Sequence, residues 1–220
     1  HRGLRRVFLP CPGSSRTLDN GNGFDDLVMA ATSTVSGDIK IAGGIGGAAG
    51  AFSAALWEYA TGADTLVFAA STNAPGSSFD YASGIASTGS STFWLIGLSS
   101  SALAGAPNVM DVSLWRYTGG NSLTLVNSGP GFMPNADGSV RLTAAESALY
   151  AAGVKMNEAG NTDLTFFKFA LDGSTVVVKH WHSSSPPGND KAGGILVKDD
   201  GTVVVFGGFE SSPSLGYSAY

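Results

Sequence analysis

The chain has little charge, few lysines and a single cysteine. Charged residues make up 13% of its 220 residues, about half the usual share. Lysine occurs 6 times against 31 glycines and 28 serines, a composition that disfavours coiled coils and helical bundles. Cys11 has no second cysteine to pair with, so a dense disulfide scaffold is excluded. No uninterrupted apolar run of about 18 residues is present either, which predicts no membrane span.

Recognisable catalytic motifs are also missing. Segment 84–87 does not complete the G-x-S-x-G pattern of a serine nucleophile. Segment 43–50 is rich in glycine, yet it lacks the lysine and the Ser/Thr of a phosphate-binding loop. No two carboxylates have a spacing that indicates acid–base chemistry. We therefore predict no catalytic residue and no cofactor, with calcium as the one candidate ion.

The charge that is present is unevenly distributed. Three arginines, Arg2, Arg5 and Arg6, lie close together at the start and are expected to form a solvated terminus. Residues 17–220 contain 8 basic and 17 acidic residues, which gives this part a net charge of 8 − 17 = −9. Such a field repels a phosphate backbone, so nucleic acid is not an expected partner. The low lysine content and the Ser/Gly-rich loops favour an extracellular setting.

Internal repetition is the main feature of the sequence. Apolar segments end in glycine at intervals of 54, 56 and 54 residues, at Gly43, Gly97, Gly153 and Gly207. In phase with them, an aromatic pair at positions i and i+2 recurs, as Trp57 and Tyr59, Trp115 and Tyr117, and Phe167 and Phe169. Residues two apart share one face of a strand, so each pair is expected to pack between repeats.

Pro-Gly dipeptides recur at similar intervals and indicate turns. They lie at 12–13, 75–76, 130–131 and 187–188. A short apolar strand precedes each of them, so one unit consists of four short strands in about 55 residues, which is typical of a propeller blade. Segment 142–152 has helical propensity, but Gly153 is in phase with the repeat and predicts strands there.

The sequence thus predicts an all-β fold, a β-propeller of about four four-stranded blades. We expect one domain over 1–220, with approximate repeats 13–75, 76–130, 131–187 and 188–220 plus 1–12. Pairing of the N-terminal strand at 7–9 with the C-terminal strands is expected to close the ring and to remove exposed sheet edges. The alternative is a fragment of a six- or seven-bladed propeller.

These repeats resemble the kelch type. The resemblance rests on the strand 203–206 that ends in the double glycine Gly207-Gly208, and on Gly43-Gly44 followed by Trp57. It implies a propeller that binds a partner through one face. A second, weaker resemblance, to integrin-type FG-GAP propellers, rests on segment 20–27. It implies a calcium loop, for which the candidate ligands are Asn20, Asn22 and Asp26.

Candidate ligand-binding residues lie near the repeat junctions, where the loops of several blades are expected to meet on one face. They are Arg16, Asp80, Tyr81, His182 and Asp190, all expected at the surface.

Because catalytic motifs are missing, the sequence favours a non-catalytic binding or scaffold module that recognises a protein or another ligand. One alternative is a secreted carbohydrate-binding lectin, suggested by the low charge and the repeated aromatic residues. Another is a propeller-fold hydrolase whose site is assembled from several blades. The expected partner is therefore a protein or a carbohydrate.

Overall fold

The protein is built from β-strands arranged in consecutive antiparallel sheets. The structure, a computed structural model, describes residues 6–8, 15–17, 24–100, 110–132, 140–145, 147–156, 161–181, 189–212 and 216–219. Among these, the helical content is one 3-10 turn, Ala48–Gly50, and no helix is long and apolar enough to cross a membrane.

Four sheets follow one another along the chain, after a short hairpin of β1 (Arg6–Phe8) and β2 (Ser15–Thr17). The first sheet consists of β3 (Asp26–Ser33), β4 (Ile39–Gly46), β5 (Phe52–Ala60) and β6 (Thr65–Thr72). The second consists of β7 (Asp80–Ser87), β8 (Phe93–Ser100), β9 (Met110–Tyr117) and β10 (Thr124–Phe132).

The third sheet consists of β11 (Arg141–Ala145), β12 (Ala148–Met156), β13 (Thr162–Ala170) and β14 (Thr175–Trp181). The fourth consists of β15 (Asp190–Val197), β16 (Val203–Ser212) and β17 (Gly216–Ala219). Within each sheet every strand pairs with the next along the chain, and β3, β7, β11 and β15 pack in that order from sheet to sheet. The fold is therefore a β-propeller of four blades, as the repeats predicted.

Hairpin turns fix the register within the blades. In two of them an aspartate is followed by a glycine with positive φ, at Gly173 (φ 89°) and Gly201 (φ 81°). The preceding carboxylates, Asp172 and Asp200, each accept a backbone N–H two residues on, at 2.8 Å. Asp-Gly at such a turn matches the twist of the flanking strands.

The first strands of three blades share a further feature that the repeat pattern did not predict. Each begins with an aspartate, Asp26, Asp80 or Asp190, and each has a β-bulge a few residues later. The bulges lie between Val28 and Ala30, between Ala82 and Gly84, and between Ala192 and Gly194. A bulge increases the local twist of a strand, which suits the crowded centre of a propeller.

The core lies between neighbouring sheets. The interface between the first and second sheets, here the first interface, buries a cluster that includes Ala42, Leu56, Leu95, Trp115 and Tyr117. The interface between the second and third sheets, the second interface, buries a cluster that includes Trp94, Leu114, Leu149, Phe167 and Phe169. Successive residues of a strand point to opposite faces, so one sheet supplies both clusters.

The predicted strand positions are confirmed in detail. The four phased glycines all lie in the second strand of their blade, and the three aromatic pairs all lie in the third. Segment 142–152 forms parts of β11 and β12 rather than a helix. The helical propensity there is overridden by pairing with neighbouring strands.

Two expectations are wrong. Segment 130–131 is not a turn: it lies in β10, in an irregular stretch of the pairing with β9, where an outer strand tolerates a missing N–H. The closure by terminal strands also differs, because β1 pairs with β2 and not with β17. A strand pairs most readily with a partner that is close in sequence, since the loop that must close is short. The first strands of the first to fourth sheets pack on one another in sequence. Among the described strands, those of the fourth sheet do not pack on the first sheet in this way.

Candidate functional site

Three of the predicted ligand-binding residues are buried rather than at the surface. Asp80 is 0%, Asp190 3% and Tyr81 9% exposed, because the first strand of a blade is covered by the neighbouring sheets. Tyr81 contacts the ring of Phe79 edge to face, with 5.7 Å between centroids. Burial raises the pKa of the Asp80 carboxyl, and the nearby serine hydroxyls offset only part of this effect. The expected surface position is wrong for these three, and ligand binding by them stays a prediction.

The structure says less about the other residues that were predicted to bind a ligand or calcium. Arg16 lies in β2, opposite Val7. His182, Asn20 and Asn22 lie outside the described residues. Asp26, expected in a calcium loop, is the half-buried first residue of β3. Within the described ranges, no three His, Cys, Asp or Glu side chains come together as a metal site.

The repeated aromatic pairs are buried, and those of the second and third sheets pack between blades as predicted. Trp57 packs on residues of its own sheet. Trp57, Tyr59, Trp115, Tyr117, Phe167 and Phe169 are all nearly inaccessible. None of these rings presents a free face on which a sugar ring would stack.

A cavity of about 240 Å³ lies at the second interface. Its apolar wall comes from Val112 and Leu114 of the second sheet and from Phe167, Phe169 and Val178 of the third. The polar side chains around it are Asn127, Lys155, Thr175 and His180. An apolar cavity with a few polar groups is the usual form of a small-molecule site.

The sheet register explains why the polar groups meet there. Lys155 of β12 lies opposite Asp163 of β13, and Thr165 of β13 lies opposite His180 of β14. Paired residues share a face, and so do residues two apart on one strand. All four side chains therefore lie on the face that also carries Phe167, which is the face toward the second sheet.

His180 is held in place by Thr165. Their Nδ1 and Oγ1 atoms are 2.9 Å apart, and Thr165 Oγ1 in turn donates to the carbonyl oxygen of Asp163 at 3.3 Å. A hydroxyl has one proton, so the bond to Asp163 makes Nδ1–H of His180 the donor to Thr165. This assigns the neutral tautomer whose Nε2 carries the lone pair.

The surroundings of His180 favour its neutral form, although the residue as a whole is exposed. Partial desolvation lowers the pKa of the imidazole, the positive charge of Lys155 lowers it further, and Asp163 opposes these effects. Neutral imidazole is the form that accepts a proton, so His180 is a base at neutral pH.

Asn127 joins the two walls of the cavity. Its Nδ2 donates to the carbonyl oxygen of Gly173 at 2.7 Å and to Oγ1 of Thr175 at 3.1 Å. These bonds connect β10 with the turn before β14, so they fix the distance between the second and third sheets on this side.

The sequence contained a signal for this site. In β13, Asp163 and Thr165 alternate in phase with Phe167 and Phe169, so two polar residues occupy positions on an otherwise aromatic face. His180 and His182 are also in phase, but the prediction chose His182 because it lies nearer the repeat junction.

Comparisons with known proteins reveal a similar structure but no family. No family model matches the chain, and no curated protein matches it. Among solved structures, a periplasmic gluconolactonase of Pseudomonas aeruginosa is similar, with a TM-score of 0.47 and 11% identity. The match covers 83% of this chain and 50% of the other, so the chain spans half the length of that structure.

This finding corrects the functional prediction. The sequence favoured a non-catalytic binding or scaffold module, whereas the similar solved structure is an enzyme. The identity of 11% assigns no role to any residue of this chain.

Proposed function

We propose that the protein is a hydrolase that cleaves small carboxylic esters in the cavity at the second interface. The observation that carries the proposal is the position of His180: its Nδ1 lies 2.9 Å from Thr165 Oγ1, and its imidazole, on an exposed residue of β14, lines the apolar cavity. A base held in one tautomer and orientation is what the activation of a water molecule requires.

The reaction follows from the groups at the cavity. His180 Nε2 takes a proton from water, and the hydroxide oxygen forms a bond to the ester carbonyl carbon. The electron pair of the carbonyl moves to its oxygen, where the ammonium group of Lys155 stabilises the negative charge. The bond to the leaving alkoxide then breaks, and the alkoxide takes the proton back from Nε2. The products are a carboxylic acid and an alcohol.

The cavity limits the substrate. A volume of about 240 Å³ is below the ~300–1,000 Å³ of sites for drug-sized ligands, which favours a short acyl group. Its walls are apolar apart from Asn127, Lys155, Thr175 and His180. A substrate with many hydroxyl groups would lose hydrogen bonds to water on entry, so an apolar acyl group is preferred.

The experiment compares the full chain with His180→Gln on p-nitrophenyl acetate and butyrate. Loss of the base is expected to lower kcat/KM by at least about 100-fold. Lys179→Gln is the matched control, because Lys179 is the neighbouring residue on the opposite face of β14 and lies outside the cavity. A full rate in His180→Gln, or a wild-type rate equal to buffer, would overturn the proposal.

We keep the kelch resemblance as a proposal about the repeat pattern and draw no function from it. It is supported by the positions of Gly43-Gly44 and Gly207-Gly208, each pair in the second strand of its blade. The FG-GAP resemblance has no comparable support in the described residues. Protein and carbohydrate partners likewise stay predictions.

A further inference from the structure

A row of polar residues crosses the second sheet at the end where β7 begins. Asp80 of β7 lies opposite Ser99 of β8, and Ser99 lies opposite Asp111 of β9. Side chains directly opposite each other on neighbouring antiparallel strands start about 5 Å apart. The two carboxyl groups therefore stand on either side of the Ser99 hydroxyl.

Both carboxyl groups have a buried oxygen without a partner. Oδ2 of Asp80 and Oδ1 of Asp111 are inaccessible and accept no hydrogen bond within the described part of the chain. The other oxygen of Asp80, Oδ1, accepts the backbone N–H of Ala74 at 3.3 Å. A buried carboxylate oxygen that has lost its water and gained no partner is costly.

The hydroxyl between them has one proton and offers its lone pairs to the row. Ser99 donates to Ser113, with 2.7 Å between the Oγ atoms, and Ser113 donates to Ser128 at 3.3 Å. The Ser99 proton thus has two acceptors in reach, Ser113 and the Asp80 carboxyl, whose pKa the Ser99 hydroxyl lowers. The buried oxygens of Asp80 and Asp111 and the lone pairs of Ser99 Oγ together form a row of oxygen acceptors, which is an electrostatic environment that suits a cation.

The first sheet shows that these residues are not imposed by the repeat. Its equivalent row reads Asp26, Ile45 and Ser53. An aspartate at the start of the first strand is common to both sheets, whereas Ser99 replaces an isoleucine and Asp111 replaces a serine. The polar row belongs to the second sheet rather than to the blade architecture.

We propose that Asp80, Ser99 and Asp111 hold a divalent cation of the calcium type. The donor set consists of oxygen alone, which suits a hard cation, and two carboxylates balance its charge. Backbone oxygens and water complete the shell, as they do at many calcium sites. This site is separate from the cavity at the second interface, and it does not include the loop residues Asn20 and Asn22.

The experiment measures thermal unfolding of the full chain in EDTA and in Ca²⁺, together with calorimetric titration of Ca²⁺. Wild-type Tm is expected to rise by at least about 2 °C in Ca²⁺. Asp111→Asn and Asp80→Asn are expected to weaken Ca²⁺ binding by at least about tenfold. Asp80→Asn retains the Oδ1 acceptor for Ala74, so its fold in EDTA is expected to persist. Ser99→Ala is a milder variant with the same expected direction.

Asp26→Asn is the matched control, because Asp26 has the same register position in the first sheet. It is expected to bind Ca²⁺ as the wild type does. Three results would overturn the proposal: no Ca²⁺ binding by the wild type, unchanged binding in both Asp80→Asn and Asp111→Asn, or binding lost in Asp26→Asn alone. The last result would place the ion at the first sheet instead.

Discussion

The two faces of the second sheet are packed in different ways. At the first interface, Trp115 projects toward Ala42, Ala54 and Ala70 of the first sheet, so a large ring meets small side chains. At the second interface the equivalent position of the next repeat is Phe167, and a cavity of about 240 Å³ lies beside it. The smaller ring of Phe167 leaves space at the second interface, whereas the larger ring of Trp115 fills the first interface.

The charged groups at the two interfaces also differ. At the first interface Lys40 pairs with Glu58 and lies over the rings of Phe93 and Tyr117, 5.3 and 5.7 Å from their centroids. That cation is neutralised within the core. At the second interface Lys155 and His180 line an open cavity instead. Lys40 is therefore occupied by its partners within the first interface, whereas Lys155 and His180 can meet a ligand in the cavity.

Trp115→Ala should have the largest effect on stability. It removes a fully buried ring from the first interface, so the free energy of unfolding is expected to fall by about 3–5 kcal/mol. Urea denaturation measures the change. Val176→Ala, at an exposed position of β14, is expected to change it by less than about 0.5 kcal/mol. A loss under 1 kcal/mol for Trp115→Ala would mean, on the scale of core truncations, that the ring does not fill the interface.

Phe167→Trp makes the second interface resemble the first. The larger ring is expected to occupy the cavity, to lower kcat/KM for p-nitrophenyl butyrate by at least about tenfold, and to raise stability by about 1 kcal/mol. Steady-state kinetics and urea denaturation on one preparation test both. Wild-type kinetics in a stabilised variant would show that the reaction takes place elsewhere.

Ser83→Ala tests a polar link between the second and third sheets. The Ser83 hydroxyl accepts the N–H of Val140 at 2.9 Å and donates to its carbonyl at 3.1 Å. Without it two buried backbone groups lose a partner, so the free energy of unfolding should fall by about 1–3 kcal/mol. Ser83→Thr retains the hydroxyl and measures the cost of an added methyl group alone. Equal stability of Ser83→Ala and wild type would contradict the link.

The pH dependence of the reaction should show the smallest effect. His180 must be neutral to act as a base, so kcat/KM is expected to fall as the pH drops through its pKa, below the usual value of about 6.5. Thr165→Val removes the oxygen that accepts Nδ1–H, and this acceptor stabilises the protonated imidazole. The pKa of His180, and with it the acidic limb of the pH profile, is therefore expected to move to lower pH by less than about one unit. The kcat is expected to fall as well. A limb above pH 7, or one unmoved in Thr165→Val, would contradict the role of the pair.

Local patterns were enough to predict most of the strands. The phased glycines and the aromatic pairs each occupy one position of the blade, because strand alternation and turn chemistry act over a few residues. Segment 130–131 was misread as a turn, since a proline and a glycine also suit an irregular edge strand. The aspartates that begin β3, β7 and β15 were present as a repeat at Asp26, Asp80 and Asp190, but the burial of Asp80 and Asp190 was not foreseen.

By itself, the sequence determined the repeat, the strands and the residues that face each other within a blade, because these depend on short-range periodicity. Only the tertiary structure decided which faces are buried, where the sheets leave a cavity, and that His180 lines it. These properties depend on how two sheets from distant parts of the chain fit together. A change from Trp115 to Phe167 at one repeat position alters that fit without changing the pattern of apolar residues.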